Sequence, residues 1–354
     1  MEFYFELLFL ILILTAIGYV NYSNKKYIYF IISFTLLFVS MFRFKVGFDY
    51  KNYLDSINFI INNGINSNYI FYNRMEPAYK LFVLISYHLR NSYFVFFISS
   101  FITILLVSLS IYRYSKDYLL SIFIFYSFPF FYLDSFSIIR QWSAVSIIIF
   151  GYTSFIKNRN LFIFLITIIL ASLFHSSALI SILIIPFFFI NFNRKMLLFL
   201  IFFIFILKYY LFNIIIYYLP FNLNKIERLL NTKGGDKLIY IITFFSFLFF
   251  YFKSNLESIN KNNSIGITIF IFGNCLLYLF TDLGQIAQRF SIYFISIFIF
   301  LIPDFVFIIT KKYNINFKIL SYFFFSVIYF YSLYISYSRF NFSPLIPYKF
   351  IFNA

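Results

Sequence analysis

The strongest constraint on this sequence is the way it parcels its polarity. Long runs of Phe, Ile, Leu and Tyr are separated by short polar junctions, and the junctions alternate between two chemistries. One kind is plainly basic: Asn24-Lys25-Lys26, Arg113 to Lys116, Lys157-Asn158-Arg159, Asn193-Arg194-Lys195, Lys253 to Asn263 and Thr310-Lys311-Lys312. The other holds isolated residues of mixed chemistry: Arg43 to Asp49, Arg140-Gln141, His175-Ser176-Ser177, Asp282 to Arg289 and Pro344 to Tyr348. A chain built this way has nowhere to hide its apolar surface in water. With 62% hydrophobic residues, 11% charged residues and a mean hydropathy of +0.88, it reads as an all-α polytopic membrane protein.

A run of about 20 apolar residues spans a hydrocarbon core of about 30 Å as a helix. The sequence predicts about 12 transmembrane helices, near 3–20, 27–42, 92–112, 118–136, 141–156, 161–174, 178–190, 196–216, 238–252, 264–281, 290–309 and 319–337. They form a single integral membrane domain over 1–354, with two longer periplasmic loops at about 43–91 and 217–237. The first run follows Glu2 and Glu6 and lacks both a basic leader and a small-residue cleavage site, so it is expected to be a retained helix. Short loops rich in Lys and Arg stay cytoplasmic. That rule sets the N-terminus outside and the mixed junctions on the outer face. Segment 77–90 is too short and too polar to span. Pro77 suits a first helical turn, and Ala78, Leu81, Phe82 and Ile85 make one apolar face, so an interfacial or re-entrant outer helix is expected.

The net charge of +16 is dispersed over loops on both sides, which argues against nucleic acid as a partner. Cys275 stands alone in an apolar span and supplies no disulfide. No phosphate-cradling glycine loop, zinc-spaced histidines, Gly-x-Ser-x-Gly elbow or Asp-x-Asp pair is present, so no cofactor and no metal are expected.

The mixed junctions hold the residues suited to chemistry. Arg43 is either a headgroup-seeking arginine or a ligand for an anion. Asp49 opens a helix-like pattern and serves equally as an N-cap, with Gly47 in a turn and Gly64 at the far end. Arg140-Gln141 places an arginine where topology has no use for one; a salt bridge to Asp134 is the plain alternative. His175 sits in a tight connection among small residues, and a local hydrogen bond competes with a functional role. Asp282 and Arg289 either brace their loop or put another arginine at the outer mouth of the bundle. Glu76-Pro77 and the closing Pro344 to Tyr348 complete the set. Arginine forks suit phosphate or diphosphate oxygens.

In order and rough spacing, several of these pieces resemble the EpsG-like branch of the Wzy polysaccharide polymerase family. They are Arg43-x-x-x-Gly47-x-Asp49-Tyr50-x-x-Tyr53, Glu76-Pro77-x-Tyr79, Arg140-Gln141, Phe174-His175-Ser176-Ser177-Ala178, Gln288-Arg289-Phe290 and Pro347-Tyr348. Phe48 departs from the pattern, which commonly has a small polar residue there. The resemblance covers about residues 40–350. It implies an enzyme of the bacterial inner membrane that polymerises undecaprenyl-diphosphate-linked oligosaccharide repeat units, transferring the nascent chain to a new lipid-linked unit at the periplasmic face. On that reading His175, Asp49 and Asp282 are the catalytic candidates, and Arg43, Arg140 and Arg289 bind the diphosphate. Glu76, Gln141, Tyr50 and Tyr348 would contact substrate. A chain-length regulator and a flippase are the candidate protein partners. An O-antigen ligase and a lipid-linked oligosaccharide flippase are the alternatives. A flippase should carry its charge at midplane, whereas here polar groups cluster at span ends and Lys208 is one of few charges within a span.

Overall fold

A computed structural model describes residues 1–65, 75–218, 236–314, 316–340 and 344–353. The described residues form sixteen α-helices joined by short 3₁₀ turns, with no β-strand among them. Backbone polar groups in lipid must be satisfied within the segment, which is why apolar runs of this length become helices. The helices are α1 (Glu2–Val20), α2 (Lys25–Met41), α3 (Tyr50–Asn63), α4 (Pro77–His88), α5 (Phe94–Tyr114), α6 (Tyr118–Ser127), α7 (Ile139–Asn158) and α8 (Leu161–Ser172). They continue with α9 (Ile185–Phe189), α10 (Arg194–Tyr218), α11 (Asp236–Tyr251), α12 (Lys253–Ile259), α13 (Asn263–Leu279), α14 (Gln285–Ile295), α15 (Phe298–Tyr313) and α16 (Phe317–Phe340).

Each expected span falls on helical residues, but several are interrupted. The expected 118–136 span stops at Ser127, because Phe128 precedes Pro129 and must leave the helical region (ψ 126). The expected 178–190 span is a 3₁₀ run over Ser176–Ile184 followed by the five-residue α9, which has Pro186 in its first turn. Helices α14 and α15 meet at 57°, and α11 and α12 at 71°. Helices α1, α5 and residues 317–336 of α16 are long and apolar enough to cross a membrane; counting each bent pair as one span raises the number from three to five. The count of twelve rests on sequence hydropathy. The expected 217–237 loop lies mostly outside the described residues.

The chain divides into two compact units: 1–179 with 309–354, and 180–308. In the first, α7 packs between α5 and α8 and buries nearly every side chain. The α7–α8 turn closes with Arg159 in the left-handed region, and the Asn160 side chain accepts from the Ile163 N–H at 3.3 Å, an N-cap that starts α8. Among the described residues, segment 43–91 contains two helices. Helix α3 begins after Asp49, buries Tyr50, Leu54, Ile57, Ile60 and Ile61 on one side, and ends at Gly64 (φ +86). Helix α4 is the short element expected from 77–90. Glu76 is extended, as a residue before proline must be, and Pro77 takes the first turn. The two helices lay their apolar faces on Val95 and Phe96 of α5 and Ile139 of α7. In the second unit, α13 is central, with α10, α11 and α14 packed against it.

Candidate functional site

The motif at 43–53 builds a platform. Arg43 is 1% exposed, and its guanidinium is shared among several acceptors. It donates to the Ser40 carbonyl, to Ser100 Oγ (2.7 Å), to the Val46 carbonyl (3.3 Å) and to the Phe136 carbonyl (3.4 Å). The rings of Phe136, Phe96 and Tyr50 surround it at 4.8, 5.7 and 6.0 Å. Burial pushes its pKa down from the ordinary arginine value, yet an arginine remains protonated in a protein. Such a side chain ties α2, α5 and the loop before α7 together. In this arrangement its fork is engaged by protein oxygens.

Gly47 and Tyr50 belong to the same platform. Gly47 has φ +127, and a Cβ there would sit 2.3 Å from the Phe136 carbonyl oxygen. Glycine is required for close approach as well as for backbone freedom. Tyr50 is buried, stacks on Phe96 at 4.0 Å and donates to the Arg43 carbonyl at 3.4 Å. Burial raises its hydroxyl to about 12. Asp49 holds the N-cap position of α3 and is half-buried, although its side chain makes no capping bond to that helix.

The closing segment straps this platform down. Phe44 N–H donates to the Lys349 carbonyl (2.8 Å), Ile351 N–H to the Phe42 carbonyl (2.9 Å) and Gly47 N–H to the Pro344 carbonyl (2.9 Å). Arg43 and Phe350 form an antiparallel bridge. Tyr348 donates to the Val39 carbonyl at 2.6 Å and stacks on Phe3 at 3.9 Å. Its hydroxyl is therefore engaged with the end of α2. Gln141, like Tyr348 expected at the substrate, is buried at 1% exposure.

A partly open polar patch adjoins the platform through the cluster that Tyr50, Tyr79 and Ile139 share. Arg140 Nη1 meets Glu76 Oε2 at 2.6 Å, with side chains 27% and 15% exposed. The sequence left a bridge to Asp134 open; instead Asp134 accepts from Trp142 Nε1 at 3.3 Å. Arg140 Nε donates to the Tyr53 hydroxyl at 3.3 Å, and the Tyr53 and Tyr79 rings lie 5.7 and 5.4 Å from the guanidinium. Two links bring the His175 turn to the same helix. Ala78 N–H donates to the Leu173 carbonyl at 2.9 Å, and Phe82 packs on Phe174 at 5.5 Å. His175 Nδ1 lies 2.6 Å from Ser177 Oγ and accepts the Ser177 N–H at 3.3 Å. An Nδ1 that accepts a backbone N–H carries no proton, so the neutral ring holds its proton on Nε2. That tautomer donates through Nε2, which suits a hydrogen bond to a substrate oxygen better than proton abstraction.

In the second unit Asp282 pairs with Lys208 at 3.3 Å, a partner the sequence did not suggest. Lys208 also donates to Thr281 Oγ1 at 2.5 Å and lies 4.4 Å from the Tyr278 ring centre. Gly284 (φ +56) turns the chain into α14, which carries the half-buried Arg289.

Sequence reasoning missed Tyr53 as a partner of Arg140, though it closes the 43–53 motif. It also passed over two polar clusters that draw on lysines of the basic junctions. Asp117 receives Lys25 (3.3 Å), Lys318 (2.9 Å) and the Tyr19 hydroxyl (2.9 Å), and those charges hold its carboxyl below the usual range against the cost of burial. Lys253 pairs with Glu257 and donates to Ser264, while Asn263 donates to Asp304 at 2.8 Å. The signal for the first was a lone acid, Asp117, directly after a basic run.

A model of the EpsG family matches residues 26–350. Neither the curated proteins nor the solved structures yield a match.

Proposed function

The chain belongs to the EpsG family, and from that premise we propose that it polymerises lipid-linked oligosaccharide repeat units at the periplasmic face of a bacterial inner membrane. The match along residues 26–350 carries this reading. Membership and the apolar helices make the chain a membrane protein of polysaccharide biosynthesis. The finer reaction is our proposal. A sugar hydroxyl of the incoming unit attacks the anomeric carbon of the nascent chain. The bond from that carbon to oxygen of undecaprenyl diphosphate breaks, and its electron pair leaves with the diphosphate. The hydroxyl proton passes to a carboxylate, for which Asp49 and Asp282 are the candidates. His175, with its proton on Nε2, donates to an oxygen of the substrate. Arg289, in a short outer junction, is proposed for the diphosphate, where negative charge grows in the transition state.

The test is a strain from which this gene is deleted, with its surface polysaccharide resolved on a gel. Loss of a polymerase leaves single repeat units attached to the acceptor and removes long chains. Loss of a ligase or a flippase removes the attached single units as well. An unchanged ladder would exclude the polymerase reading.

A further inference from the structure

Arg140 was expected to hold the diphosphate, but its surroundings fit another ligand. We propose, building on the polymerase reading, that Glu76, Arg140 and Tyr53 form a subsite for the uncharged hydroxyls of a sugar in the lipid-linked substrate. The starting point is charge. Glu76 lies 2.6 Å from the guanidinium, so the pair is close to neutral as a unit. A diphosphate brought to Arg140 would also be brought to a carboxylate, and the two anions would repel across one shared cation. A polyol faces no such penalty.

Hydrogen-bonding capacity points the same way. Each sugar hydroxyl both donates and accepts. A guanidinium only donates and an ionised carboxylate only accepts, so an adjacent pair answers both needs of neighbouring hydroxyls. Both side chains remain partly open, at 27% and 15% exposure. Tyr53 adds an aromatic face beside them, half-buried, with its hydroxyl already turned to Arg140 Nε. Tyr79 is buried next to Tyr53, their ring centres 5.8 Å apart, so the two rings together flank the guanidinium. The fork is thereby fixed in orientation before substrate arrives, which lowers the ordering cost of recognition.

The test uses the full-length protein in nanodiscs with two probes. One is the phosphate-free oligosaccharide released by mild acid from lipid-linked units of the deletion strain; the other is undecaprenyl diphosphate. Saturation-transfer NMR should detect the oligosaccharide on the unaltered protein. Glu76→Gln should weaken that binding about tenfold or more, the loss typical of a hydrogen bond to a charged group. Its binding of undecaprenyl diphosphate should not change. The exchanged pair, Glu76→Arg with Arg140→Glu, controls for folding: it should recover thermal stability and fail to recover oligosaccharide binding. Unaltered oligosaccharide affinity in Glu76→Gln, or full recovery of it by the exchanged pair, would reduce Glu76–Arg140 to a structural bridge and overturn the inference alone. Tighter undecaprenyl diphosphate binding in Glu76→Gln, with normal oligosaccharide binding, would return Arg140 to the diphosphate. An unchanged polysaccharide ladder in the deletion strain would remove the polymerase reading and this subsite with it.

Discussion

Arg43, Arg140 and Arg289 look alike in the sequence, each in a mixed outer junction, and the structure gives each different company. Arg43 is enclosed by carbonyls and rings, Arg140 is matched by Glu76, and Arg289 sits half-buried on α14. Residue type and spacing identified all three, but they carry no information on what a guanidinium touches once helices distant in sequence come together. The partners Ser100 and Phe136 for Arg43, and Glu76 for Arg140, are contacts between separate elements. Two substitutions separate the roles. Arg43→Lys cannot reach the same set of acceptors and strands buried carbonyls, so it should destabilise the protein by about 1–3 kcal/mol, read as a lower melting temperature in detergent. Arg289→Lys should slow polymerisation by about 10²–10³, so that long chains vanish while the protein still accumulates. A normal ladder in Arg289→Lys would sink its assignment to the diphosphate.

At the scale of elements, the sequence was most legible where local chemistry decides. Pro77 began α4, Gly64 ended α3 and Asp49 stood at its N-cap position, all as the pattern predicted. It was least legible where an apolar run hides a break, as at Phe128 before Pro129 or within 176–189, because hydropathy counts carbon and ignores backbone geometry. The strap between 344–351 and 42–47 was likewise invisible, since nothing in a short Pro-containing segment names its distant partner. Both sides of this strap can be probed. Tyr348→Phe loses the bond to the Val39 carbonyl and should cost about 1 kcal/mol in a thermal melt, with polymer length unaltered. Shortened polymer at full stability would restore Tyr348 to the substrate. Gly47→Ala forces a Cβ against the Phe136 carbonyl at positive φ and should cost about 1–3 kcal/mol or prevent accumulation of the protein.

For the whole molecule, the distribution of lysines predicts an orientation, and a labelling experiment checks it. In a Cys275→Ala background, cysteines at the exposed positions Ser176 and Gln285 should react with an impermeant thiol reagent added outside intact spheroplasts. Those at Asn158 and Lys312 should react only after permeabilisation. The reverse pattern would put Glu76, Arg140 and His175 on the wrong face for periplasmic polymerisation. The strap also bears on how such a protein is made. Tyr348 and Val39 are 309 residues apart, and Leu345 accepts from Tyr4 across 341. Helices α1 and α2 are synthesised before the segments that complete their packing, and the platform around Arg43 cannot close until the intervening chain has been made. The platform is thus assembled from the earliest and latest of these segments, so a stalled or truncated product would lack its strap.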